Sequence, residues 1–121
     1  MKKCLDTYAL VEIMHKNSRF SHLLADDISI PSMTLAEFYG LLYREFGEET
    51  ADFWLKRLKP ICYDVQLEIF IDAIKYRIDN SKENLSIFDC VGYIYAVKNK
   101  MLFVTGDKAF RNRPHVEFIK K

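Results

Sequence analysis

The alternation of short apolar segments with longer amphipathic ones restricts the fold of this chain more than any other feature. The short segments, which we predict to be strands, are residues 3–5, 28–30, 61–63, 101–104 and 116–119. The longer segments, which we predict to be helices, are residues 7–16, 20–25, 34–46, 48–58, 66–78 and 86–98, with one further helical turn over 107–111. Strands that alternate with helices indicate a parallel sheet covered on both faces. We therefore expect the α/β class: a single domain over residues 1–121, built as a three-layer α/β/α sandwich around a parallel sheet of four or five strands.

Apolar residues at helical spacing support these assignments. The clearest stripe, in the helix at 34–46, consists of Leu35, Phe38, Tyr39, Leu42 and Phe46. In the helix at 66–78 the aligned residues are Leu67, Phe70, Ile71, Ile74 and Ile78, a pattern typical of a face that packs on a core. The helix at 86–98 is apolar on nearly every side, which predicts that it is buried.

Four carboxylates stand where a predicted strand ends or a predicted helix begins: Asp6, Glu37, Asp89 and Asp107. In an open parallel sheet, ligands bind outside the carboxyl ends of the strands. Neighbouring strands lie roughly 5 Å apart, so acids that follow two such strands are close enough to share an ion. A hard divalent cation such as Mg²⁺ prefers oxygen ligands, and it would offset the repulsion among these groups.

Helix capping is the alternative explanation for each acid. Thr34 and Glu37 have the spacing of a capping box, as do Ser86 and Asp89, while Asp6 and Asp107 suit N-cap positions. Asp89 fits this alternative least well, because it is the only charged residue between Leu85 and Val97. A carboxylate in such apolar surroundings needs a partner or a metal ion.

Composition sets broader limits on the function. The net charge is +1, but assigning four of the 17 acids to one site leaves 13 acids against 18 Lys and Arg, a surplus of five positive charges that would tolerate a polyanionic substrate. The three cysteines are far apart and match no zinc spacing, which agrees with a reducing compartment. No apolar run approaches the length of a membrane helix and the first residues do not resemble a signal peptide, so we expect a cytoplasmic protein without membrane contact.

Read in order, Leu5-Asp6-Thr7, Thr34-Leu35-Ala36-Glu37, Ser86-Ile87-Phe88-Asp89 and Val104-Thr105-Gly106-Asp107 resemble the motifs of the PIN domain. The compact length is similar to that of the VapC-type toxins of prokaryotic toxin–antitoxin pairs. This resemblance covers nearly the whole chain. It implies that Asp6, Glu37, Asp89 and Asp107 form an acidic catalytic site that holds Mg²⁺ or Mn²⁺. Thr105 matches a small hydroxyl residue of the last motif and is a candidate substrate contact.

The resemblance implies an endoribonuclease in which a metal-activated water attacks an RNA phosphodiester. It also implies a cognate antitoxin protein and a homodimer, and it makes Phe53, which lies off the stripe of its helix, a candidate partner contact. Two positions depart from the usual motifs: Tyr8 stands where many relatives have Asn, and Ala109 where many have a further acid. The second departure leaves open whether one or two metal ions bind.

Three basic residues and one acidic pair are further candidates for a site. Lys108, Arg111 and Arg113 cluster after Asp107, where they either contact substrate phosphates or belong to a solvated loop. The pair Asp26-Asp27 is similar to the acidic pair of phosphorelay receivers, although such a pair is more often a solvated turn. Two other functions therefore remain: a metal-dependent phosphatase or receiver-like protein with Asp6 as phospho-acceptor, and a non-catalytic RNA-binding module.

Overall fold

A computed structural model describes residues 2–120 of the chain. Its strands are β1 (Lys3–Leu5), β2 (Ile28–Pro31), β3 (Cys62–Tyr63), β4 (Leu102–Thr105) and β5 (Val116–Phe118). Its α-helices are α1 (Thr7–Met14), α2 (Ser18–Ser21), α3 (Ser32–Phe46), α4 (Glu48–Leu58), α5 (Leu67–Asp79) and α6 (Ile87–Lys98). Single 3-10 turns follow at His22–Ala25, Lys59–Ile61, Ser81–Glu83 and Lys108–Phe110.

All five strands are parallel, and their order across the sheet is β3-β2-β1-β4-β5. The central strand β1 pairs with β2 through Lys3 and Ile28, and with β4 through Leu5 and Val104. The predicted parallel sheet is confirmed, and β5 is an edge strand as expected.

The two faces of the sheet are covered by different helices because successive strand residues point to opposite sides. Leu5 and Val104 face a cluster built with α1 to α4, whereas Cys4 and Phe103 face a cluster built with α5 and α6. The predicted three-layer α/β/α sandwich is thereby confirmed. None of the helices within residues 2–120 combines the length and the apolar composition that crossing a bilayer requires.

Several boundaries differ from the sequence prediction. The helix predicted from residue 34 begins at Ser32, directly after Pro31 at the end of β2. Ile61 belongs to a 3-10 turn, which leaves β3 with two residues. The segment 20–25 is divided between the end of α2 and a 3-10 turn.

The largest difference concerns α5. Four residues of its predicted stripe are exposed to solvent: Leu67, Ile71, Ile74 and Ile78. The face that packs on α6 instead contains buried Ala73 together with half-buried Ile69, Phe70 and Tyr76. The stripe predicted the helix correctly. Its prediction of the buried face was wrong for every residue except Phe70.

Candidate functional site

The four predicted acids meet at the point where the strand order of the sheet reverses, beside β1 and β4. After β1 the chain moves to β2 on one side, and β4 is later added on the other side of β1. Asp6 directly follows β1, and Asp107 follows β4 after one intervening residue. Crevices outside the carboxyl ends of strands at such switch points are the usual ligand sites of open α/β sheets.

Asp6 is almost completely buried and serves as the N-cap of α1. Its carboxylate accepts a hydrogen bond of 2.8 Å from the Ala9 amide. Burial, followed by the nearby charge of Asp89, raises the pKa of Asp6 to about 8, although hydrogen bonds from Thr105 and Ala9 act in the opposite direction. The carboxyl group is thus held in a fixed position where its negative charge is poorly solvated.

Thr105 connects the ends of the two central strands. Its side chain is fully buried, and its hydroxyl accepts a hydrogen bond of 3.0 Å from the Asp107 amide. The same hydroxyl is hydrogen-bonded to the Asp6 carboxylate. Asp107 in turn caps the 3-10 turn that follows by accepting a hydrogen bond of 2.9 Å from the Ala109 amide.

Glu37 lies one turn inside α3, where it cannot cap the helix. The N-cap of α3 is Pro31, so the capping box predicted for Thr34 and Glu37 is wrong. Thr34 is buried in the first turn, and the hydroxyl of Thr7 donates a hydrogen bond to the Glu37 carboxylate. The residue that follows Asp6 in the chain therefore orients the acid contributed by α3.

Asp89 lies in the first turn of α6, but the cap of that helix is Ser86, whose hydroxyl accepts from the Phe88 amide. Within residues 2–120 no hydrogen bond or ion pair to the Asp89 carboxylate is present, so the reciprocal bond of a capping box is not made. Burial, then the charges of Asp107 and Glu37, raise the pKa of Asp89 to about 7. These effects place Asp89 in the same electrostatic cluster as the other three acids.

All four acids line one cavity of about 460 Å³. Its remaining walls are Thr7, Tyr8, Ser86, Gly106 and Lys108. The structure therefore brings together the four residues that the sequence predicted as a site.

The chemistry of the donors suits a hard divalent cation. All four candidate ligands are carboxylates, which is the donor type that Mg²⁺ and Mn²⁺ take. Neither buried Asp6 nor half-buried Asp89 is paired with a basic side chain in the described part of the chain. As arranged in residues 2–120, no three of these carboxylates form a ready-made ligand cage. The type of donor therefore fits a divalent cation, and the four side chains must move closer together to bind it.

The four residues predicted to contact substrate have different surroundings. Lys108 is exposed and borders the cavity, and Arg111 is exposed with its guanidinium 5.6 Å from the Phe118 ring. Thr105 has no surface open to a ligand. Arg113 is engaged elsewhere, since it pairs with Glu83 and donates to the Tyr76 hydroxyl and the Ala109 carbonyl.

Asp26 and Asp27 do not join the site. Asp26 forms an ion pair of 3.1 Å with Lys3, which begins β1 and also pairs with Glu117. These groups therefore lie at the amino end of the central strand, opposite the cavity. Asp26 and Asp27 therefore do not contribute to an acidic site with Asp6.

Tyr8 and Gly106 are cavity residues that the sequence did not reveal as a pair. A Cβ atom added to Gly106 would lie 2.0 Å from Cε1 of Tyr8, so the glycine allows the ring to pack on the backbone after β4. The ring centroids of Tyr8 and Phe20 are 5.8 Å apart. Sequence spacing carries no signal for this contact, because the two residues are distant in the chain.

We predict that Gly106→Ala displaces the Tyr8 ring and distorts the cavity, because the added methyl group overlaps the ring. Overpacking of this kind costs about 1–3 kcal/mol of unfolding free energy. Chemical denaturation of Gly106→Ala and of the double variant Gly106→Ala/Tyr8→Ala measures the effect. The second change removes the overlap, so equal stability losses in the two variants would contradict the assigned contact.

A second prediction follows from the raised pKa values of Asp6 and Asp89. Between the ordinary value of 3.8 and the folded values of about 8 and about 7, the folded state binds more protons than the unfolded state. The stability of the metal-free protein should therefore decrease as the pH rises through this interval and level off above it. Melting temperatures in EDTA from about pH 5 to about pH 8 test the sign.

Asp89→Asn is the matched variant for that measurement. Losing one charge should flatten the pH dependence and raise the melting temperature near pH 8 in EDTA. Mn²⁺ at 100 times its dissociation constant should stabilise the wild type by about 2.7 kcal/mol, and it should stabilise the variant by less. If Asp89 only capped the helix, the change to Asn would leave the stability nearly the same in both buffers, because Asn caps about as well as Asp. That second pattern would exclude Asp89 as a ligand.

The fold of this chain is found in solved toxin structures. A toxin–antitoxin complex from Klebsiella pneumoniae matches with a TM-score of 0.76 and 15% identity, covering 98% of this chain and 99% of that one. A VapC toxin of Mycobacterium tuberculosis, described as cleaving the sarcin-ricin loop, matches with a TM-score of 0.77 and 17% identity, covering 98% of each chain. A VapBC complex of Rickettsia felis bound to a fragment of its promoter DNA gives 0.77 and 18%, covering 100% and 99%.

No family model matches this sequence, and no curated protein matches it either. At identities below one fifth, the structural likeness establishes the fold and its extent over the whole chain.

Proposed function

We propose that this chain is a metal-dependent endoribonuclease of the PIN-domain family and the toxin of a VapBC-type toxin–antitoxin pair. The observation that carries the proposal is the meeting of Asp6, Glu37, Asp89 and Asp107 in one cavity at the switch point of the sheet. The choice of RNA as the substrate is based on the shared fold, because one of the similar structures is described as a toxin that cleaves the sarcin-ricin loop.

The four carboxylates would hold Mg²⁺ or Mn²⁺, and they suffice for one ion or for two. Once bound, the ion supplies positive charge that acidifies a water molecule and stabilises the negative charge developing at the attacked phosphorus. Asp6 and Glu37 are already oriented by Ala9 and Thr7, which reduces the reorganisation required when the site binds its ion. Because ligand carboxylates must be ionised, the raised pKa values of Asp6 and Asp89 should weaken ion binding in acid.

The chain's own cations have a different role at the rim. Lys108 borders the cavity and is exposed, so its ammonium group is placed to contact an RNA phosphate. Arg111 is exposed on the segment that follows and is a second candidate for such contact. Thr105 and Arg113 act within the protein: the first holds Asp6, and the second is committed to Glu83 and Tyr76.

The proposed toxin acts in the cytoplasm as a homodimer and is inhibited by a cognate antitoxin protein. The antitoxin is supported by the similar structures, two of which are toxin–antitoxin assemblies from Klebsiella pneumoniae and Rickettsia felis. The homodimer is supported by the apolar side chains that α4 and α5 expose, including Phe53, which is 57% exposed.

The proposal predicts RNA cleavage that requires Mg²⁺ or Mn²⁺ and stops in EDTA. Asp6→Asn and Asp107→Asn should each reduce the cleavage rate by more than about 100-fold, since even outer partners of metal ligands commonly account for 10-fold to 100-fold effects. The assay uses total RNA and a synthetic sarcin-ricin-loop hairpin, with cleavage followed on denaturing gels.

Asp64→Asn is the matched control, because Asp64 is an exposed acid that does not line the acidic cavity. It should retain full activity. Full activity in Asp6→Asn and Asp107→Asn would overturn the assignment of the site. An acyl phosphate on Asp6 without RNA cleavage would favour the phosphatase or receiver class, and RNA binding without cleavage in Mn²⁺ would favour a non-catalytic module.

A further inference from the structure

Among residues 2–120, Tyr8 contributes the one aromatic side chain to the wall of the acidic cavity. The other lining residues are the four acids together with Thr7, Ser86, Gly106 and Lys108. Binding a metal ion and binding a phosphate, the two roles proposed for this cavity, do not use an aromatic ring. A large aromatic group beside a charged crevice therefore serves either the packing of the core or a contact with another part of the substrate.

The Tyr8 ring is held in place by the protein on two sides. It packs against the core cluster built with α1 to α4, where its centroid lies 5.8 Å from that of Phe20 with an angle of 57° between the rings. On another side it lies against Gly106, so closely that a Cβ atom at this glycine would overlap Cε1 of the ring. The position of the ring is thus fixed before a substrate binds, which lowers the entropic cost of binding.

The hydroxyl end of Tyr8 is open to solvent. The residue is half-buried, and within residues 2–120 its hydroxyl has no hydrogen-bond partner. In that part of the chain no side-chain polar atom is both buried and without a partner, so this hydroxyl must reach solvent. Buried tyrosines usually satisfy their hydroxyl within the protein. Tyr8 therefore combines an anchored ring with an open end, which packing alone does not require.

The segment 106–108 places the Tyr8 ring close to a basic side chain. The ring lies against Gly106, Asp107 follows as a candidate metal ligand, and exposed Lys108 borders the same cavity. Two residues of backbone extend over at most about 7 Å. An aromatic surface, a candidate metal ligand and a cation are therefore arranged within a distance that a single nucleotide can bridge.

A nucleobase is the part of RNA that suits the aromatic surface. Single-stranded RNA is recognised largely by stacking its bases on aromatic side chains, whereas its phosphates are contacted by basic side chains. A phenol is uncharged at neutral pH, so the Tyr8 ring adds no repulsion to a cavity that already holds four acids. The ring can thus receive a base while Lys108 contacts a phosphate.

We propose that Tyr8 forms a nucleobase subsite of the acidic cavity, in which its ring stacks on the base of one of the two nucleotides joined by the cleaved phosphodiester. The inference rests on the proposed function, because it takes RNA as the substrate. It deepens that function by adding a residue that binds a base. Stacking accepts every base but requires it to be unpaired, so the subsite selects RNA in which this nucleotide is single-stranded.

Removing the base from the RNA tests the subsite. Once the cleaved bond is mapped, synthetic RNAs carry an abasic nucleotide on one or the other side of it. The wild type should lose about tenfold in kcat/KM on one of these RNAs, because stacking on an aromatic side chain contributes about this factor. Tyr8→Leu should lose the same factor on intact RNA and should not distinguish intact from abasic RNA. Tyr8→Phe retains the ring and should behave like the wild type.

Tyr43→Leu is the matched control, because Tyr43 is 57% exposed on α3 and does not line the acidic cavity. It should retain the activity and the base dependence of the wild type, and circular dichroism verifies that every variant is folded. If Tyr8→Leu slowed both RNAs equally and kept the tenfold base effect, the ring would serve packing only and the proposal would be overturned. A wild type that is indifferent to both bases would overturn it as well.

A photochemical crosslink tests the contact in a protein that keeps Tyr8. The Asp6→Asn variant, which the proposed function makes inactive, leaves the RNA intact, and 5-iodouridine replaces each of the two nucleotides in turn. Ultraviolet light joins an iodinated base to an aromatic side chain that stacks on it. Mass spectrometry should therefore find the RNA attached to Tyr8. A complex that forms without this crosslink, or with the RNA attached only to other residues, would overturn the base contact.

These outcomes separate the nucleobase subsite from the proposed function. RNA cleavage whose base dependence is unchanged in Tyr8→Leu would refute the subsite and leave the nuclease intact. If the wild type did not cleave RNA, the nuclease would be refuted, while a crosslink to Tyr8 would still support the base contact in an RNA-binding module. A wild type that binds no RNA would refute both.

Discussion

Carboxylate repulsion at the carboxyl edge of the sheet is the constraint on which the site depends. Asp6 and Asp107 follow the two central strands, so the topology itself forces them together. Asp89 and Glu37 are added from helices on opposite faces of the sheet. Burial and mutual repulsion both oppose ionisation there, as the raised pKa values of Asp6 and Asp89 show. A fold that keeps such groups together without a basic partner is arranged for a cation or for retained protons.

Capping and site formation are not exclusive explanations for the strand-end acids. Asp6 caps α1 through Ala9, and Asp107 caps the turn after β4 through Ala109. A cap uses one carboxylate oxygen as an acceptor and leaves the other oxygen available. The capping hydrogen bond therefore fixes the orientation of the carboxylate, and the other oxygen can face the cavity. Replacing either acid with Asn retains a capping acceptor, which is why that substitution separates site chemistry from helix stability.

The sequence was a good guide wherever a local pattern determines local structure. The alternating segments predicted the parallel sheet. The strand-end positions of Asp6 and Asp107 predicted that these acids lie close together, because parallel topology brings the carboxyl ends of strands to one edge of the sheet. The capping box at Thr34 failed since Pro31 begins α3 two residues early. The contact of Tyr8 with Gly106 was missed because it joins residues that only the tertiary fold brings together. The α5 stripe did not predict the buried face of the helix, because periodicity shows that a face is apolar but not whether protein or solvent covers it.

A cavity of about 330 Å³ beside the end of α5 shares a chain segment with the acidic site. Its wall includes Ser81, Leu85 and Ile87, which lead from the end of α5 into the first turn of α6. Ile87 precedes Asp89 by two residues, on the same helical turn. This cavity therefore borders the segment that positions Asp89, the acid that makes no hydrogen bond of its own within residues 2–120. Asp6 and Glu37 are fixed from within the protomer by Ala9 and Thr7. Of the four acids, Asp89 can therefore move towards a bound ion without breaking a hydrogen bond, while Asp107 is held by the Ala109 amide.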